Sequence, residues 1–222
     1  MYLDKNTLEL TGYDLELGIQ TKIQVDSEDH GEFTVNAKLF AEIIRKMPSE
    51  DVSVEINDKL KATIKGGDAE YNILALSADD YPSMPDYDTS DSITISQGLL
   101  KNMIGQTIFA VSVSDNKPIL TGELFDIENG IFNLVAIDGF RLAVRTEKLN
   151  TEDRHHFVVK AKALSEVSKL LKDDGDDPVN MYLSRKHIVF DINGYMVISR
   201  LLEGEFHNYK GSIPQNHSTE IV

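Results

Sequence analysis

The 222 residues contain no cysteine, which excludes a disulfide scaffold, thiolate zinc sites and a cysteine nucleophile together. Cations are scarce: 22 lysines and arginines face 37 aspartates and glutamates, a formal charge of −15. Such a balance repels phosphates at long range and argues against a protein that simply coats nucleic acid. No apolar run approaches the ~20 residues of a membrane-spanning helix, and no basic-then-apolar leader opens the chain, so a soluble intracellular protein is expected. Phosphate-cradling glycine motifs are missing too, and Gly66-Gly67 reads as a hairpin turn. His155-His156 lack a further ligand at i+4, and Lys172-Asp-Asp-Gly-Asp-Asp-Pro178 lacks the spacing and terminal glutamate of a calcium loop. Nothing places a serine, histidine and aspartate together. No metal, no cofactor and no catalytic residue are therefore expected.

What is present is 41% apolar residues, enough for a sizeable core in one large domain or two ordinary ones. The chain also repeats itself. Phe33–Met47 lies over Phe157–Leu171 at an offset of 124, with Phe, Val, Ala, Lys and Glu identical. The same offset sets Asp14 on Asp138, Leu10 on Leu134 and Tyr71 on Tyr195. A duplicated domain of about 125 residues is expected. The proline- and aspartate-rich stretch from Ser77 to Ser90 reads as the linker, giving domains over 1–90 and 91–216, with 217–222 beginning a third. By that offset the first copy opens inside its domain.

Apolar spacing at Phe40, Ile43, Ile44 and Met47 predicts a helix, as does that of Leu100, Met103, Ile104 and Ile108, and of Leu164, Val167 and Leu171. Alternation at Val52/Val54/Ile56, Tyr71/Ile73/Ala75, Phe132/Leu134/Ala136, Ile188/Phe190/Ile192 and Met196/Ile198 predicts antiparallel strands covered on one side. The class is α+β with the helices on one face. Charge follows the same division. Residues 36–47, 97–110 and 160–172 carry +2, +1 and +3, so the rest of the chain carries −21. Lys38, Glu42 and Arg45 share the polar face of one helix, and Lys162, Glu166 and Lys169 share that of its repeat. Either these are ordinary solvated faces with i,i+4 pairs, or together they form a mildly basic surface on an acidic body.

Three segments carry a resemblance: Lys117-Pro-Ile-Leu-Thr-Gly122, Leu134-Val-Ala-Ile-Asp-Gly-Phe-Arg-Leu-Ala-Val144 and Leu202-Glu-Gly-Glu-Phe-His-Asn-Tyr-Lys210. In this order and at these separations the chain resembles the bacterial sliding clamp, the beta subunit of DNA polymerase III, over essentially its whole length. The resemblance implies duplicated DNA-clamp domains with antiparallel sheets outside and helices on the inner face. It also implies a homodimeric ring around duplex DNA, held without sequence readout, and partners that include the replicative polymerase, the clamp loader and repair proteins. These would dock short linear motifs in a pocket made by Leu120, Ile137, Gly139, Phe140, Arg141 and Leu142, with His207, Gly211 and Ser212 as the other wall. Ile137, Phe140 and His207 stand where the family usually has threonine, histidine and proline. Lys38, Arg45, Lys101, Lys162 and Lys169 would face DNA, with Lys117 on a loop toward the same side. A non-enzymatic processivity factor of the cytoplasm, associated with the nucleoid, is the function implied. The alternative is a truncated clamp-like adaptor that binds partner peptides without encircling DNA. A hydrolase on an α+β scaffold is a third reading.

Overall fold

The computed structural model describes residues 1–90, 92–114, 116–173 and 175–213. The segment 217–222, expected to begin a third domain, lies outside the described residues. The chain divides into two units, Met1–Pro85 and a second beginning at Asp86.

In the first unit, β1 (Tyr2–Asp4), β2 (Thr7–Tyr13), β3 (Leu17–Gln24) and β4 (His30–Glu32) form an antiparallel sheet in the order β4-β1-β2-β3. Helix α1 (Ala37–Lys46) follows. It starts at Asn36, whose side-chain oxygen accepts the Leu39 N–H at 3.0 Å and satisfies one of the first-turn amides. A second sheet, β5 (Ser53–Ile56), β6 (Lys61–Gly66) and β7 (Ala69–Leu74), is a meander with β5 at its edge. The Gly66-Gly67 pair turns the chain between β6 and β7, as its sequence predicts.

The second unit opens with β8 (Ser92–Ser96) and α2 (Gln97–Thr107). Next come β9 (Gly122–Glu128), β10 (Ile131–Ile137), β11 (Leu142–Lys148) and β12 (His155–Lys160). Helix α3 (Ala161–Leu170) and strands β13 (Pro178–Leu183), β14 (His187–Ile192) and β15 (Tyr195–Leu202) complete the unit. All eight strands join antiparallel in the order β11-β10-β9-β12-β15-β14-β13-β8. The long β15 makes this continuous, pairing β14 over most of its length and β12 at Leu201 and Leu202.

The duplication is visible element by element. An offset of 124 carries β2 onto β10 and α1 onto α3 residue for residue. Asp14 and Asp138 make the same turn: Asp14 Oδ1 accepts the N–H groups of Glu16 and Leu17, and Asp138 Oδ1 those of Phe140 and Arg141. One difference stands out. The outer edge of β13 is covered by β8, and α2 packs on α3; the first unit has no counterpart of this strand and helix among its described residues. Accordingly Ala163, Leu164 and Val167 of α3 are buried, whereas Leu39 and Ile44 of α1 remain exposed.

The expectation of strands covered on one side is corrected in the second unit. From Gly122 to Ile127 every residue of β9 is buried, and so are Leu134–Ile137 of β10. Phe125, Ile127, Phe132 and Leu134 alternate along these strands with Leu124, Val135 and Ile137. The second set is buried under Phe206 and Tyr209, which return across the sheet after β15. A sheet packed on both faces loses its period-two signature.

Candidate functional site

The returning segment does more than cover the sheet. Together with the loop before β9 and the β10–β11 turn it encloses an open concavity of about 600 Å³. Its lining is Lys117, Ile119, Leu120, Ile137, Gly139, Phe140, Arg141, Leu142, Glu205, His207 and Ser212. The floor is apolar because Ile119, Leu120, Leu142 and Leu202 pack on the cluster of Leu124, Val135, Ile137, Val158, Phe206 and Tyr209. The rim is polar and carries Lys117 and Arg141 against Glu205.

Local chemistry explains each wall. Leu120 lies in a one-turn 3-10 helix, Pro118–Thr121, entered through a proline at its first position. Gly122 then starts β9 so close to β12 that an added Cβ would run into the Val159 carbonyl oxygen. Between β10 and β11 the chain reverses through Gly139, whose φ of +96° disfavours any side chain. Asp138 organises this turn: besides the two backbone bonds, its Oδ2 accepts Arg141 Nε at 2.8 Å. The Phe140 amide, with those of Arg141 and its guanidinium, outweighs desolvation and holds the Asp138 carboxyl below the usual range. Arg141 is steadied from the other side by Phe109, whose ring centroid lies 5.9 Å from the guanidinium carbon. The result is a half-exposed cation in a fixed place, next to a fully exposed Phe140 ring.

Across the concavity, His207 Nε2 and Ser212 Oγ lie 2.9 Å apart. Gly211 is not part of the lining; its N–H donates to Asn208 Oδ1 and closes the turn beneath. The structure thus gathers Leu120, Ile137, Gly139, Phe140, Arg141, Leu142, His207 and Ser212 around one space. It adds Ile119 and Glu205, which lie inside the segments of family resemblance but gave no signal of their own. Lys117, expected on a loop toward the DNA-facing side, lies on the loop before β9 and joins this lining.

The helix cations are less free than their sequence suggested. Lys38 and Arg45 are exposed on α1, and Lys162 is exposed on α3. Lys101 pairs with Asp173 at 2.7 Å and donates to the Leu171 carbonyl at 3.0 Å. Lys169 pairs with Glu166, and Lys172 with Asp177. The acids that neutralise Lys101 and Lys172 lie just outside the segments counted as basic, so the positive bias of the second unit is damped. Among the described residues no three histidine, aspartate or glutamate side chains cluster as a metal site would require. No helix among them is long and apolar enough to cross a membrane.

Comparison with known proteins is consistent along the chain. Residues 94–208 match the family model described as DNA polymerase III beta subunit, central domain, and residues 1–85 that of its N-terminal domain. The chain is 36% identical to the beta sliding clamp of Bacillus subtilis, covering 97% of this chain and 59% of the relative. With that of Staphylococcus aureus it shares 34% identity over 96% of this chain and 58% of the relative. The crystal structure of the B. subtilis clamp superposes with a TM-score of 0.92 at 32% identity, over 97% of this chain and 59% of that one. A Pseudomonas aeruginosa clamp bound to griselimycin superposes at 0.88 and 29%, over 98% and 59%. The chain therefore spans about three-fifths of the length of the relatives it matches.

Proposed function

Because this chain belongs to the DNA polymerase III beta subunit family, we propose that it works as a bacterial sliding clamp, a non-catalytic processivity factor. In this reading it takes part in a homodimeric ring around duplex DNA in the cytoplasm. There it tethers the replicative polymerase and repair proteins, and receives the clamp loader, through the concavity of its second unit. The observation that carries the reading is the concavity itself: an apolar floor of docking size with one cation held rigidly at its edge. Apolar anchors of an extended peptide would fill the floor while Arg141 fixes its direction. No reacting group is needed for this task, and sliding requires contacts to phosphate that do not read bases.

The test is binding of a fluorescein-labelled peptide carrying the clamp-binding segment of a bacterial replicative polymerase. Arg141→Ala and Leu142→Ala should each weaken it by about tenfold, in line with the ~1.4 kcal/mol or more expected of interface anchors. Unchanged affinity in both would refute the docking role.

A second reading is favoured by the paired lysines of α2 and α3: an adaptor that docks peptides without encircling DNA. Retention on nicked circular DNA distinguishes the two. Retention that is lost when the circle is linearised supports a closed ring, and none at all supports the adaptor.

A further inference from the structure

The segment Glu205–Ser212 forms one wall of the concavity, yet it is not part of the sheet. Its position depends on what lies beneath it. Phe206 and Tyr209 point down into the apolar cluster over β9, β10 and β12, while Glu205, His207 and Ser212 face the concavity. Apolar burial alone would let such a strap slide, since it is not directional. One polar bond removes that freedom. The Tyr209 hydroxyl donates to Asp126 Oδ2 at 2.7 Å, in a buried setting.

Asp126 is placed for this by strand register. It sits two residues after Leu124 on β9, on the same face, opposite His156 of β12. Lys210 Nζ reaches the same oxygen at 3.1 Å, and His156 Nδ1 lies 3.3 Å from the other. Burial raises the Asp126 pKa, but the hydroxyl, the ammonium and the imidazole together outweigh it and keep the carboxyl below its usual range. The Lys210 ammonium also lies 5.5 Å from the Tyr209 ring centroid, so ring and carboxylate hold it jointly.

We propose that Asp126 and Tyr209 form a latch that fixes the wall of the concavity and so sets its affinity for a docked peptide. Neither residue lines the concavity; both are positioning residues. The proposal rests on the docking role given above. A wall held in place beforehand spares the peptide the cost of ordering it, and a loosened wall lowers apparent affinity by the fraction of time it is out of place.

The experiment measures binding of the same labelled peptide to the full chain, with hydrogen exchange across 205–213 read in parallel. Tyr209→Phe keeps the ring and removes the bond. It should weaken the peptide about five- to tenfold and speed exchange in the strap. Asp126→Ala should do the same, whereas Asp126→Asn retains an acceptor for the hydroxyl and should recover at least half of the lost affinity in logarithmic terms. A merely structural role predicts lower melting temperatures for all three with unchanged peptide affinity below the transition. Tyr209→Phe and Asp126→Ala within twofold of wild type, while Arg141→Ala weakens binding, would overturn the latch alone. Indifference of Arg141→Ala and Leu142→Ala as well would overturn the docking role. Should Asp126→Ala not fold, Tyr209→Phe against Asp126→Asn decides the matter, since only the first removes the hydrogen bond.

Discussion

Replacing Glu123 with glutamine exchanges a buried carboxyl for an amide of nearly the same shape, so a titrating group disappears without a change in volume. Glu123 is fully buried on β9, and neither of its side-chain oxygens has a hydrogen-bond partner. It shares the strand face of Phe125 and Ile127. Thr107 commits its hydroxyl to the Met103 carbonyl, so its lowering effect on the Glu123 pKa is smaller than the rise from burial. Burial pushes the carboxyl up from 4.5 to about 8. Folded protein therefore keeps this proton over a range in which unfolded protein releases it, and stability falls as pH rises from about 4.5 to about 8. The slope is about 1.4 kcal/mol per pH unit, and the accumulated loss is roughly 3–5 kcal/mol, flat above pH 8. Below pH 4.5 both states are protonated and the loss vanishes. Glu123→Gln cannot ionise, so it should match wild type near pH 4.5 and exceed it by most of that margin at pH 8.5. Urea unfolding followed by far-UV circular dichroism across this range reads the difference, and exchange of the β9 amides assigns it to the second unit. Parallel stability profiles for the two proteins would refute the burial argument.

Two further outcomes follow from the fold. Gly122→Ala forces a methyl group into the Val159 carbonyl, so β9 and β12 must separate; a loss of roughly 3 kcal/mol is expected, measured by thermal melting, together with a weaker concavity at Leu120. Asn36→Ala removes the acceptor for the Leu39 amide and should cost about 1 kcal/mol, read as faster exchange of the α1 amides with the second unit unchanged.

Much of the architecture was legible because duplication multiplies weak signals. A single amphipathic run such as Phe40–Met47 is ordinary, but its match to Leu164–Leu171 at a fixed offset made helix, turn and class readable together. Asp14 and Asp138 gained meaning in the same way, and the structure shows one turn built twice. Strand β9 escaped notice because burial on both faces erases alternation, and β12 because Phe157, Val158 and Val159 are buried in succession. Glu123 escaped it as well: in a linear reading it is one acid among 37, and only its placement between helix and sheet makes it unusual.

Residue types and their spacing thus determined which segments curl, which extend, where the chain repeats itself and to which family it belongs, since these depend on neighbours within a few turns or on comparison along the chain. Tertiary structure alone decided that Lys101 would be neutralised by Asp173 and that Tyr209 would hang from Asp126, 83 positions away. Such pairs form between side chains brought together by packing, and the strength of each depends on the water that packing excludes.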